Sequence, residues 1–199
     1  MDVVIVYESM FGNTHAVAEA AAAGIFDTDP AAHVTVLPVS QATAADVAGA
    51  GLLVVGGPTH IRGMSSGLSR RKGLEAQEQA ASDRGAGFTH EPAAGGPGVR
   101  DWLGSLPPAS PGQLAAAFDT RADAAFAGGA AKGIARRLRH RGYQLAAPPE
   151  GFVITGTEGP LREGEPARAQ EWGAALVRPP AGAQAASVVS PVNAAQSEA

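Results

Sequence analysis

The sequence predicts a three-layer α/β domain built on an open parallel sheet. Apolar runs typical of strands alternate with segments whose apolar residues recur at helical spacing. The first run, residues 3–7 (VVIVY), is continuous and rich in β-branched residues, as expected for a strand buried on both faces. Strands that alternate with helices imply right-handed crossovers, and hence a parallel sheet with helices on both sides.

The first half of the chain contains three of the five strands that we expect. After strand 3–7, a helix is predicted over residues 14–25, because Val17, Ala21 and Ile25 form one apolar stripe. The alternating run 33–39 predicts a second strand near the edge of the sheet, where a proline is tolerated. A short alanine-rich helix at 43–48 and a buried strand at 51–57 follow.

The second half repeats the alternation after a long polar connection, residues 59–98, which contains a candidate exposed helix at 68–81. The remaining predicted elements are helix 99–106, strand 113–118, helix 129–141, strand 152–155 and helix 164–178. We therefore expect one domain over residues 1–178, followed by a disordered tail rich in alanine, proline and serine over residues 179–199.

Composition argues against several classes of protein. The 199-residue chain contains no cysteine, which removes disulfide scaffolds, zinc–thiolate sites, iron–sulfur clusters and thiol nucleophiles. A net charge of −4 at pH 7 disfavours a general nucleic-acid binder. No apolar run is long enough for a membrane span, and the start MDVVIVYES lacks the basic flank of a signal peptide. These features predict a cytoplasmic protein.

The most informative segment follows the first strand and opens the first helix. It consists of Ser9, Met10, Phe11, Gly12, Asn13 and Thr14. Backbone N–H groups at a helix N-terminus point outward without partners, and an anion placed there gains both those donors and the helix dipole. The two hydroxyls and the amide of the segment add donors, and its glycine permits a turn that a Cβ would obstruct.

The residue types of this loop also indicate which anion it suits. The loop contains no Lys or Arg, which disfavours a nucleoside triphosphate, and it lacks the three-glycine pattern of dinucleotide sites. Neutral donors at a helix start suit a phosphate monoester better. The sequence therefore predicts a phosphate-binding loop at residues 9–14.

This loop resembles the phosphate loop of the flavodoxin family, in which Ser or Thr, any residue, Thr, Gly, any residue and Thr follow the first strand. Ser9, Gly12 and Thr14 match, whereas Phe11 replaces the middle Thr. A second match, residues 56–60 (GGPTH), follows the third strand. A third match, FDTR at 118–121, follows the fourth strand. The stretch ITGTEGPL at 154–161 is similar to one in flavodoxin-domain proteins of GC-rich bacteria.

The resemblance covers about residues 1–178 and implies a flavodoxin-like sheet of five parallel strands in the order 2-1-3-4-5. It implies that FMN binds at the switch point between strands one and three, with its phosphate on the first loop and its ring against two further loops. The residues of these two loops are Pro58, Thr59, His60, Ile61, Arg62, Gly63, Asp119, Thr120 and Arg121.

The function that the resemblance implies is electron transfer by an FMN-binding protein, either a carrier or a small oxidoreductase, in which the flavin does the redox chemistry. The sequence singles out no nucleophile, general base or metal ligand. The expected partner is a redox protein or NAD(P)H, and the expected state is a monomer or weak dimer. Two alternatives stay open: an NAD(P)H-dependent flavin or quinone reductase of the same fold, and a cofactor-free interaction module.

Overall fold

The computed structural model describes residues 1–60, 63–64, 98–123, 129–156 and 158–178. In chain order the elements are β1 (Asp2–Tyr7), α1 (Asn13–Thr28), β2 (His33–Pro38), α2 (Ala44–Ala48), β3 (Leu52–His60), β4 (Gly63–Met64), α3 (Val99–Ser105), β5 (Leu114–Ala122), α4 (Ala130–His140), β6 (Gln144–Leu145), β7 (Glu150–Ile154) and α5 (Glu165–Val177). None of the helices in these ranges is long and apolar enough to cross a membrane. The predicted helix at 68–81 and the predicted tail at 179–199 lie outside the described residues.

Parallel pairing joins the long strands into one open sheet. β1 lies between β2 and β3, and β5 pairs with the far side of β3. We call each strand position across the sheet a lane. The fifth lane, beside β5, is shared by two short strands, since β6 pairs with the start of β5 and β7 with its end. Pro148 and Pro149, which have no N–H to donate, lie between these two pieces. Counted by lanes, the predicted order 2-1-3-4-5 and the flavodoxin-like arrangement are confirmed.

Two strands extend three or more residues beyond their predicted ends, and the two-residue strands β4 and β6 are not predicted at all. β3 continues to His60, where its end pairs with antiparallel β4. β5 continues past Phe118 to Ala122, because β7 supplies partners for those residues. The predicted loop residues 58–60 and 119–121 therefore lie in strands, and their assignment to loops is wrong. The other described elements begin and end within three residues of the predictions.

Each face of the sheet has its own apolar core. Ile5, Val54 and Ala116 lie side by side on neighbouring strands and pack with residues of α1 and α5. Their chain neighbours Val6 and Val55 belong to the other core, with residues of α2, α3 and α4. Successive side chains of a strand point to opposite faces, so continuous apolar runs fill both cores at once.

The helices α1 and α5 cross in backbone contact on one face of the sheet. An added Cβ at Gly24 would lie 1.8 Å from the carbonyl oxygen of Gln170, and one at Gly173 would lie 2.1 Å from that of Ala21. No side chain fits at either position, so the two glycines permit the close approach. The contact fixes α1, and with it the helix start that follows the first loop, against α5.

Candidate functional site

The first loop leaves β1 at the carboxyl edge of the sheet and ends where α1 begins at Asn13. Gly12 is the N-cap residue and has a φ of 81°, in the left-handed region that favours glycine. An added Cβ at this position would meet no atom within 4 Å. The glycine is therefore needed for its backbone angle, which a residue with a Cβ would strain, and the surrounding space plays no part.

The start of α1 has no side-chain cap and no acidic residue in its first turn. The other described helices differ. Thr43 and Asp46 form a capping box at α2, and carboxylates accept from the first N–H groups of α3 and α4. α5 carries Glu165 in its first turn. Among the described helices, α1 is thus the one whose positive end is open to an external anion.

Two buried hydroxyls lie at this helix start. Ser9 is 5% exposed, and its Oγ has no hydrogen-bond partner among the described residues. Thr14 is 2% exposed, and its Oγ1 lies in hydrogen-bond contact 2.8 Å from Thr120 Oγ1. A buried hydroxyl without a partner is destabilising, so Ser9 fits a role toward a ligand. The threonine pair brings the first loop next to the end of β5.

Glu8, directly before the loop, has a structural partner. The residue is buried, and its Oε2 accepts a hydrogen bond of 2.8 Å from the N–H of Val99, the first residue of α3. A carboxylate at a helix N-terminus is favoured by the helix dipole. Glu8 therefore anchors α3 to the end of β1.

Thr59 and Asp119 hold the start of α4 at the same edge of the sheet. Thr59 Oγ1 accepts from the N–H of Ala130 at 2.9 Å, and Asp119 Oδ2 accepts from the N–H of Ala131 at 2.8 Å. Asp119 is fully buried. Burial raises the pKa of its carboxyl, and the hydrogen bonds from Ala131 and Thr59 and the charge of Arg121 offset only part of that rise. Both side chains thus have partners within the fold.

Arg121 places a positive charge beside this carboxylate. Its Nε lies 3.1 Å from Asp119 Oδ1, an ion pair without the alignment of a hydrogen bond. An added Cβ would lie 1.4 Å from Arg121 Nη2 at Gly151 and 3.2 Å from Nη1 at Gly129. The two glycines therefore make room for the guanidinium group, whose side chain is 28% exposed.

The remaining predicted site residues have different surroundings. Met10 is buried, Phe11 is half-buried, and Pro58 pairs with Thr120 across β3 and β5. A backbone pair joins His60 and Gly63. Two predicted residues lie outside the described ranges, namely Ile61 and Arg62. Within those ranges no group of three or more His, Cys, Asp or Glu side chains is placed to hold a metal ion.

Gly56, the first residue of the GGPTH match, has a packing role. An added Cβ there would lie 2.0 Å from Cζ of Phe118, whose ring is fully buried. A larger residue at this position would displace the ring. The glycine therefore serves the core, whatever the end of β3 binds.

One contact at the site was missed by the sequence reasoning. Asn13 Nδ2 donates a hydrogen bond of 2.6 Å to the carbonyl oxygen of Glu158, 145 residues away. The acceptor lies in the stretch ITGTEGPL, where Gly156 and Gly159 have positive φ values of 67° and 105°. These glycines indicate a turn, but no sequence signal indicates that the turn meets Asn13.

No protein-family model matches this chain, and a search of curated proteins finds no match. Solved structures do match. A flavodoxin from the domain Archaea is 20% identical, with a TM-score of 0.58 over 88% of this chain and 96% of that chain. Oxidised Flavodoxin 2 from Bacillus cereus is 17% identical, with a TM-score of 0.58 over 88% of this chain and 97% of that chain.

A third solved structure is the flavodiiron core of Flv1 from Synechocystis sp., which is 17% identical with a TM-score of 0.54. The match covers 88% of this chain but 35% of that chain, so it corresponds to part of a larger protein. These likenesses, together with the order of the strand lanes, show that the chain has the flavodoxin-like α/β fold.

Proposed function

We propose that this chain binds FMN at the carboxyl edge of its sheet and serves in electron transfer. One observation carries the proposal. The Ser9 hydroxyl, buried and without a partner among the described residues, precedes α1, the one described helix with no side-chain cap, no acidic residue in its first turn and no carboxylate from elsewhere in the chain on its first N–H groups. The flavodoxin-like fold supports the same choice of ligand. FMN, when bound, supplies the redox chemistry.

The residues of the first loop fit a phosphate monoester. Ser9 and Thr14 offer hydroxyls, and the first turn of α1 offers backbone N–H groups at the positive end of the helix dipole. No Lys or Arg lies in the loop, so the phosphate is held by neutral donors. Gly12, with its left-handed φ, sets the turn that leads into this helix start.

We assign the flavin ring to the neighbouring strand ends, residues 58–63 and 119–121. Thr59 and Asp119 fix the start of α4 there, and Arg121 contributes a partly exposed positive charge. Positive charge near the N1 edge of a flavin favours its anionic reduced form. The proposed partner is a redox protein or NAD(P)H, the proposed location is the cytoplasm, and the proposed state is a monomer or weak dimer.

Parallel titration of FMN and riboflavin into the apo-protein tests the phosphate assignment. Thr14→Ala removes a hydroxyl donor to a charged group, which is worth about 1.5–3 kcal/mol. FMN should therefore bind roughly 10- to 150-fold more weakly to the variant. Riboflavin has no phosphate, so its affinity should be the same for the variant and the wild type.

Thr43→Ala is the matched control, because it removes the hydroxyl that caps another helix, α2. It should lower the free energy of unfolding by about 1 kcal/mol and leave FMN affinity unchanged. Equal weakening of both flavins by Thr14→Ala would show that the loop does not bind the phosphate. A wild-type protein that binds no FMN would favour the cofactor-free module, and rapid NADPH oxidation by the loaded protein would favour the reductase.

A further inference from the structure

The turn that follows β7 lies against the first residue of α1. We call residues 155–161 the β7 loop; residue 157 lies outside the described part of the chain. Asn13 Nδ2 donates to the carbonyl oxygen of Glu158 at 2.6 Å. An added Cβ at Gly159 would lie 2.3 Å from the same Nδ2, and Gly159 has a φ of 105°. Glycine therefore meets two demands here, a left-handed backbone and a close approach to the Asn13 amide.

The β7 loop is held at its base as well as at its tip. The N–H of Thr155 donates to Pro160 at 2.8 Å, and the N–H of Arg162 donates to Val153 at 2.9 Å. Arg162 Nη1 also lies 2.9 Å from Asp123 Oδ2, just beyond the end of β5. The loop thus spans from the first loop toward the end of β5, the two places that the Thr14–Thr120 contact also joins.

We propose that the β7 loop forms one wall of the phosphate site, beside the first loop and the start of α1, and that Asn13 is the positioning residue that holds it there. The inference rests on the proposed function, since it concerns the same ligand. Asn13 is the first residue of α1, so its own backbone N–H is one of the donors at the open helix start. Fixing its side chain on Glu158 fixes that start in one geometry before the ligand arrives, which lowers the entropy lost on binding.

This role differs from the one that the sequence predicts for Asn13. The sequence assigns its amide as a phosphate donor, whereas the structure places Nδ2 on a carbonyl of a distant loop. A direct donor would act without the β7 loop. A positioning residue acts through it, so its effect on phosphate binding must disappear when the loop contact is already broken.

Asn13→Ala tests the inference with two measurements on the full-length protein. FMN affinity should fall about 2- to 10-fold, the effect of one neutral hydrogen bond, while riboflavin affinity stays the same. Hydrogen exchange followed by mass spectrometry should show that FMN protects the amides of the β7 loop in the wild type. The protection should be lost in Asn13→Ala, because the loop is no longer tied to the helix start.

Gln170→Ala is the matched control. Gln170 Nε2 donates at 2.8 Å to Asp27 Oδ2, so it also joins α5 to α1 by a side-chain amide, but at the other end of α1. This variant should leave FMN affinity and β7-loop protection unchanged. In a double-variant cycle, Asn13→Ala combined with Gly159→Ala should weaken FMN binding no more than the stronger single variant does. The reason is that both substitutions break the same contact, between Asn13 and the β7 loop.

The inference is overturned if Asn13→Ala changes neither FMN affinity nor exchange, if it weakens both flavins alike, or if the two substitutions are additive. Failure of the proposed function gives a different result, because the wild-type protein then binds no FMN. The β7 loop is in that case tested with inorganic phosphate as the probe. Phosphate-dependent protection of the loop in the wild type but not in Asn13→Ala would uphold the inference, and its absence would overturn it.

Discussion

Two polar regions lie at the same edge of the sheet and differ in how their groups are satisfied. At the end of β5, the buried Asp119 accepts from the N–H of Ala131 and lies in an ion pair with Arg121. In the first loop, the buried Ser9 hydroxyl has no partner among the described residues, and the helix start beyond it has no side-chain cap. The carboxylate of the first region has protein partners, a hydrogen bond on Oδ2 and an ion pair on Oδ1, whereas the hydroxyl of the second has none among the described residues.

The difference separates a buried group that has partners within the fold from the Ser9 hydroxyl, which we propose contacts the phosphate. Removing a group that has protein partners leaves those partners unsatisfied, and so destabilises the folded state. Removing a group without protein partners leaves the fold intact and affects the ligand alone. Substitution of Asp119 should therefore lower the stability of the apo-protein, whereas substitution of Ser9 should lower FMN affinity and leave that stability unchanged.

The largest effect on stability is expected from Asp119→Ala. The change leaves the N–H of Ala131 and the charge of Arg121 without their carboxylate, and the free energy of unfolding should fall by about 2–4 kcal/mol. Urea denaturation measures the change. Asp123→Ala, at an exposed carboxylate that also pairs with an arginine, is the control and should cost less than about 1 kcal/mol. Equal losses of stability from the two substitutions would show that the buried Asp119 supports the fold no more than an exposed carboxylate does.

Ser9→Ala should give the opposite pattern. FMN affinity should fall roughly 10- to 150-fold, while the free energy of unfolding of the apo-protein stays the same or rises slightly, because a buried hydroxyl without a partner is lost. Ser105→Ala is the matched control, since Ser105 Oγ donates to the carbonyl oxygen of Trp102 at 2.8 Å. It should lower stability by about 1 kcal/mol without changing FMN affinity. A destabilised Ser9→Ala protein would show that Ser9 belongs to the fold.

A smaller effect concerns pH, and here Asp119 is compared with Glu165. Burial raises the pKa of Asp119 above 3.8, so its contribution to stability declines as pH rises from 3.8 through the folded-state value. Burial would also raise the pKa of Glu165, but the hydrogen bonds from Arg168 and from the N–H of Val153 outweigh it and lower the pKa below 4.5. The contribution of Glu165 is therefore present above pH 4.5 and is lost as pH falls through the folded-state value.

Unfolding free energies of the wild type, Asp119→Asn and Glu165→Gln between pH 3 and pH 7 measure these slopes. Relative to Asp119→Asn, the wild type should lose stability as pH rises. Relative to Glu165→Gln, it should gain stability over the same interval. Slopes of the same sign would show that the two buried carboxyls do not differ in the way their partners indicate.

The lane order of the sheet and the first loop were predictable because local signals carry them. Continuous β-branched runs predict buried parallel strands, and Gly12 before an apolar helical stripe predicts the helix start. The extent of β5 was not predictable, since Asp119 and Arg121 become strand residues only through pairing with β7. Gly56 was predicted only as a strand residue at the start of the GGPTH match, because its packing role depends on the position of a ring on the next strand.

The contact between Asn13 and Glu158 shows the same limit more sharply. Asn13 is explained locally by a helix start and Glu158 by a turn. Nothing in the sequence around either residue indicates a contact with the other. Their meeting depends on how α1, α5 and β7 pack together. Residue pairs of this kind follow from tertiary structure and not from periodicity, spacing or propensity.

The crossing at Gly24 and Gly173 joins the first helix of the chain to the last one described. During synthesis the N-terminal part of a chain emerges first, so the first loop and α1 exist well before α5 does. Contacts between distant parts of a chain also form more slowly than local ones. A nascent chain therefore contains the residues of the first loop long before α1 can pack against α5. On the proposal that the first loop binds FMN, tight binding there is a late event, which follows the emergence of α5 from the ribosome.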